Sequence, residues 1–112
     1  MSRDYKAYLS DTLKAVQNVR KYTKQISYHK FCSDQKTVDA VLRNLEIIGE
    51  ALKHIPEDFR KHHPEVEWKK ISGLRDMLIH AYFQVDLQIV WDVIQNKLPD
   101  LHKKISAMLR EK

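Results

Sequence analysis

The residues best suited to chemistry lie together in the segment GLRDMLIHAYF, positions 73–83. It places Arg75, Asp76, His80 and Tyr82 within a short, otherwise apolar stretch. Asp76 and His80 are four apart, so on a helix they share a face and can hydrogen-bond. A carboxylate placed so fixes the imidazole tautomer and stabilises its charged form. Arg75 and Tyr82 are seven apart and also share a face. Arg75 and His80 are five apart and diverge by roughly 140° on a straight helix. Their convergence needs the long arginine to reach back, or a second subunit that completes the site across a two-fold axis.

The chemistry suited to this set is RNA cleavage without a metal. A base takes the proton of a ribose 2′-hydroxyl, which attacks the adjacent phosphate, and an acid protonates the leaving 5′-oxygen. Histidine serves in either role near neutral pH. The phosphate gains negative charge on the way, and a guanidinium can bind two of its oxygens at once. The need for a 2′-hydroxyl makes RNA the substrate, not DNA. With six arginines and six histidines in the chain, the spacing Arg-x4-His has little specificity by itself. The same residues also suit a polar patch that caps or tethers a helix, with Tyr82 half-buried.

Other candidates are weaker. His62 and His63 sit in a polar connector beside Pro64 and read as a solvated loop. His29 and Cys32 are three apart, and a lone pair makes no zinc site. No cofactor or metal is expected, and Cys32 reads as a small, partly buried residue. Glu46 and Glu50 either face a dimer cleft near Arg75 or, more simply, pair with Arg43 or Lys53 along a helix. Trp68 and Trp91 read as core or interface anchors, with base stacking by Trp68 as the alternative.

The elements that must position these residues are helical. There are 112 residues with 2 glycines, 3 prolines and 31% charged side chains, too little punctuation for a sheet-rich fold. The length fits a single domain. Apolar residues recur at helical spacing from Tyr5 through Leu9, Thr12, Val16 and Val19 to Tyr22. This predicts a first helix starting after Ser2 and reaching Lys24. A loop is expected over Ile26–Ser33. A second helix, capped by Ser33 or Asp34, runs to His54 with Gly49 inside it. A short helix at Glu57–Lys61 and a turn at Trp68–Ile71 follow. Gly73 then precedes a third main helix, Leu74 to Phe83. Asp86 caps a fourth, Leu87–Lys97, and Pro99 and Asp100 open a last, Leu101–Arg110. The expected architecture is all-α, an up-down bundle of four to five helices.

One cysteine excludes a disulfide framework and favours a reducing cytoplasm. The charged start lacks the apolar run of a signal peptide. No apolar stretch approaches the ~20 residues that span a bilayer, so no membrane partner is expected. Net charge is +5: the first thirty residues carry seven cations and two carboxylates, and the rest carry thirteen of each. That excess suits a polyanion or an acidic protein partner, or a solvated helix face.

The segment RDMLIHAY resembles the R-x4-6-H-x-Y signature of HepT-like proteins of the HEPN superfamily. The likeness covers nearly the whole chain. FCSDQKTVDAVLRNLEIIGEALKHIP resembles the family's second-helix block, including Ile48–Ala51, and HPEVEWKKISGLRD through LPDLHKKI resembles its third and last helices. The resemblance implies a helical homodimer with a cleft between subunits. It implies that Arg75 and His80 are the ribonuclease residues, with Asp76 in support. It also implies a minimal nucleotidyltransferase antitoxin as partner, transferring AMP to Tyr82 in a type VII-like toxin–antitoxin pair. RNA, whether tRNA or mRNA, is the expected substrate. The alternative is a non-catalytic subunit that binds nucleotide or RNA beside such a nucleotidyltransferase.

Overall fold

The computed structural model describes residues 4–80 and 86–111 and, within 75–80, the side chain of Asp76 alone. Among these residues there are helices and no strand. They run α1 Tyr5–Thr23, α2 Tyr28–Ser33, α3 Gln35–Lys53, α4 Glu57–His62, α5 Trp68–His80, α6 Leu87–Asp92, a π turn Val93–Lys97, and α7 Leu98–Arg110. No described helix is long and apolar enough to cross a membrane.

Short polar side chains set the helix starts. Asp4, not Ser2, caps α1: its carboxylate accepts from the Lys6 N–H at 3.1 Å. Asp34 caps α3, accepting from the Thr37 N–H at 3.3 Å and from the Thr37 hydroxyl at 2.9 Å. Asp86 caps α6 through the Gln88 N–H at 2.9 Å.

Three further expected boundaries differ from those observed. The expected loop at Ile26–Ser33 contains α2, because Ser27 accepts from the Lys30 N–H at 3.0 Å and Phe31 is fully buried beneath it. Gly73 does not precede a helix. It lies inside α5, which joins the expected turn at Trp68–Ile71 to the helix after it. Glycine weakens a helix without breaking it, and the packing of Ile71 and Leu74 against the core outweighs that loss. Pro99 does not separate two helices either. Proline lacks an N–H and its ring crowds the carbonyl four residues back. The chain absorbs this with the π turn just before it, where the Leu98 N–H bonds to the Val93 carbonyl, five residues back. Leu87 to Arg110 is therefore one continuous helical run.

The core forms where the apolar stripes meet. α3 packs against both α1 and α5, and α7 packs against α1. Val16, Val19, Val41, Ile48, Leu52 and Ile105 are fully enclosed. Tyr22, expected in the α1 stripe, is 40% exposed; Thr23 is buried instead and donates to the Val19 carbonyl at 2.8 Å. Asn44 is the buried polar link between α1 and α3. It donates to the Ala40 carbonyl at 2.8 Å and accepts from Asn18 at 3.2 Å, so its burial leaves neither end of the amide unmatched. Gly49 is buried in α3, the helix lodged between α1 and α5.

Candidate functional site

α5 is the element that carries the sequence candidates. Its first residue, Trp68, is 7% exposed, and its indole N–H donates to the His63 carbonyl at 2.8 Å. The ring also meets Phe59 edge-on, with centroids 6.3 Å apart. Trp68 is thus a core anchor for the start of α5, which leaves it no role as an open stacking platform. One turn later Ile71 and Leu74 are half-buried against the core. Gly73 stands between them with nothing within 4 Å of where a Cβ would be, so no close approach requires glycine there.

The backbone of α5 places Arg75, Asp76 and His80 on one helix, with His80 its last residue. Asp76 is exposed and lies one turn before His80, so the two positions share a face. Arg75 follows Ile71 by one turn along α5. On a helix of 3.6 residues per turn, the Arg75 and His80 positions lie on diverging faces. Tyr82, the fourth candidate, lies outside the described residues.

An apolar groove of about 260 Å³ runs beside α5, between it and the continuous run of α6 and α7. Ile71 and Leu74 form one wall; Ile89, Val93 and Leu101 form the other. Ile89 is 48% exposed within it. Lysines and carboxylates alternate along its rim. Lys70 pairs with Glu67 at 2.9 Å, and Lys97 approaches the same carboxylate at 3.9 Å. The bond from Lys70 holds the Glu67 carboxyl below its ordinary range.

Glu46 and Glu50, together with Arg43, Tyr8 and Asp11, line a concavity between α1 and α3. The partner of Glu50 along the helix is His54, at 3.3 Å, rather than Lys53. His54 in turn stacks on Tyr8, with ring centroids 4.7 Å apart.

His63 was expected in a solvated loop, and the fold gives it a different setting. Its side chain is only 13% exposed and lies against the Phe59 ring at 4.6 Å. Its Nδ1 lies 3.0 Å from Glu65, and its Nε2 lies 3.4 Å from Glu111 at the far end of α7. The bond from His63 is the leading cause that holds the Glu65 carboxyl below its ordinary range. Sequence reading missed this cluster because Glu111 is distant in the chain. No local spacing signals such a contact. Cys32 is half-buried and free, as expected. Among the described residues no three histidines, cysteines or carboxylates are grouped to hold a metal.

Comparison with known proteins adds an independent line. The family model described as "Ribonuclease HepT-like" matches residues 12–108. The chain is 43% identical over 108 residues to "Probable ribonuclease HepT" of Thermococcus cleftensis, covering 96% of this chain and 98% of that protein. It is 40% identical to a "Putative RNase" of Methanocaldococcus jannaschii over 97% of this chain and 90% of that one. A "Putative RNase" of Caldanaerobacter subterraneus subsp. tengcongensis is also 40% identical, over 93% of each chain. No solved structure matches the chain.

Proposed function

The chain belongs to the HepT-like ribonuclease family, and from that premise we propose that it is a metal-independent endoribonuclease whose catalytic residues are Arg75 and His80. The observation that carries this reading is the likeness to proteins named as ribonucleases over nearly the full length of both chains, joined to a helix α5 that bears the Arg-x4-His spacing. His80 transfers the proton, Asp76 one turn away orients it, and Arg75 holds the phosphate as its charge grows.

The diverging faces of α5 favour a homodimer, in which the Arg75 of one subunit meets the His80 of the other across a two-fold axis. The apolar groove beside α5, with half-exposed Ile89 in it, supports an interface on this side of the molecule. Tyr82 is the control point of this reading. A minimal nucleotidyltransferase antitoxin adds AMP there, which places negative charge near Arg75 and repels RNA.

Purified protein should cleave RNA in the presence of EDTA, and His80→Ala should lower the rate about 100- to 10,000-fold, the usual range for a general acid or base. Cleavage that survives His80→Ala and Arg75→Ala together overturns the assignment. Co-expression with the nucleotidyltransferase should add the mass of AMP to the wild type and not to Tyr82→Phe. The same added mass on Tyr82→Phe refutes the modification site.

A further inference from the structure

The whole charge excess of the chain lies in its first thirty residues, and the fold gathers part of it at one place. Arg20, Lys21 and Lys24, at and just beyond the last turn of α1, line a concavity of about 710 Å³. The continuous run of α6 and α7 supplies the opposite wall, with Trp91 and Gln95. No acidic side chain is among the described residues that line it. All three cations are exposed. None is in an ion pair with a described carboxylate, whereas lysines elsewhere are paired, such as Lys70 with Glu67 and Lys104 with Asp100.

Cations at a helix C-terminus have an ordinary use, since they complement the negative end of the helix dipole. That accounts for Arg20 and Lys21 on α1. It does not account for an aromatic ring facing them across an acid-free hollow. Trp91 is half-buried, its ring steadied by Phe31 at 5.2 Å and Tyr28 at 5.9 Å. A ring held this way loses little freedom when a base stacks on it. Cations that track a phosphate backbone, joined to an aromatic platform, are what single-stranded nucleic acid requires. Duplex RNA keeps its bases stacked and has no base to offer Trp91.

We propose that this concavity is a second RNA-binding site, which seats the phosphates of a single-stranded segment on Arg20, Lys21 and Lys24 with a base against Trp91. The inference rests on RNA being the substrate. It adds a place where the strand docks apart from α5, with which the concavity shares no described residue. An acidic protein is the competing occupant. The aromatic wall favours RNA, because an acidic protein surface gains from the cations but has no need of a stacking ring.

The test is fluorescence anisotropy of a labelled single-stranded RNA with the full chain in a His80→Ala background, titrated at several salt concentrations. Arg20→Gln, Lys21→Gln and Lys24→Gln together should weaken binding about tenfold or more. They should also reduce the slope of log K against log salt by about 2, at roughly 0.7 per lost phosphate contact on a single strand. A control with Lys36→Gln, Lys53→Gln and Lys103→Gln removes the same charge from exposed lysines elsewhere and should bind as the parent does. Equal losses in both triples, or none in the first, overturn the proposal. So does unchanged RNA binding accompanied by loss of binding to the co-purified nucleotidyltransferase, which assigns the site to a protein. RNA cleavage by the wild type is measured in parallel. Its absence overturns the ribonuclease reading, while the anisotropy result still decides the site.

Discussion

Replacing Trp68 with phenylalanine isolates what holds the start of α5. Trp68 is 7% exposed and donates its indole N–H to the His63 carbonyl at 2.8 Å. Phenylalanine keeps an aromatic ring against Phe59 but removes the donor and part of the buried ring. The lost hydrogen bond accounts for about 1 kcal/mol net, and the carbonyl left behind sets the upper range at about 1–3 kcal/mol. The ring carbons no longer buried add about 1 kcal/mol at ~25 cal/mol per Å². The expected cost of Trp68→Phe is therefore about 2 kcal/mol, and Trp68→Ala should cost about 3–5 kcal/mol. Against a domain stability of about 5–15 kcal/mol, the phenylalanine variant stays folded. Urea unfolding followed by far-ultraviolet circular dichroism measures both, with the dependence on urea unchanged if only stability has moved. If Trp68→Phe unfolds at the wild-type midpoint, the bond to the His63 carbonyl does not anchor α5 and the reasoning fails.

Two further outcomes follow from the caps and the His63 cluster. Asp34→Ala should cost about 1–2 kcal/mol in thermal unfolding, because it removes the cap of α3 and both bonds to Thr37. Asp34→Asn should recover part of that, and a silent Asp34→Ala refutes the cap's role. The Glu65 carboxyl is held below its ordinary range, first by the bond from His63. A depressed folded-state pKa means that the unfolded chain takes up the proton first as pH falls. The stability from this contact is present above the unfolded value of 4.5 and is lost as pH drops below it, through the folded value. His63→Gln should therefore make the fall of the melting temperature below pH 4.5 shallower. The change should be small, because Glu65 is exposed and water screens the pair. An acid limb as steep as that of the wild type counts against the contact.

The helices could be read from the sequence because local physics sets them. The apolar stripe of α3, from Val38 through Val41, Leu45 and Ile48 to Leu52, is buried as its spacing requires. Asp86 caps the helix it was expected to cap, and of the two candidates Ser33 and Asp34 it is Asp34 that caps α3. The placement of Arg75, Asp76 and His80 on one helix also follows from spacing, because the register of a helix is a property of the chain alone. Boundaries were harder to read where two local preferences compete. Gly73 and Pro99 both signal interruption, and both lie inside helical runs because packing on either side outweighs the local penalty.

Tertiary structure alone decided which distant residues meet. His63 gains Glu111 as a neighbour only when α7 folds back past the connector before α5. Glu46 and Glu50 share a concavity with Tyr8 and Asp11 only once α1 packs on α3. The basic run of α1 becomes a walled hollow only once α6 brings Trp91 opposite it. Each of these depends on how helices pack, and packing sums many weak contacts between residues far apart in the chain. The sequence by itself determined the helices and the order of the chemical groups along α5. Only the folded chain determined which surfaces those groups share with the rest of the molecule.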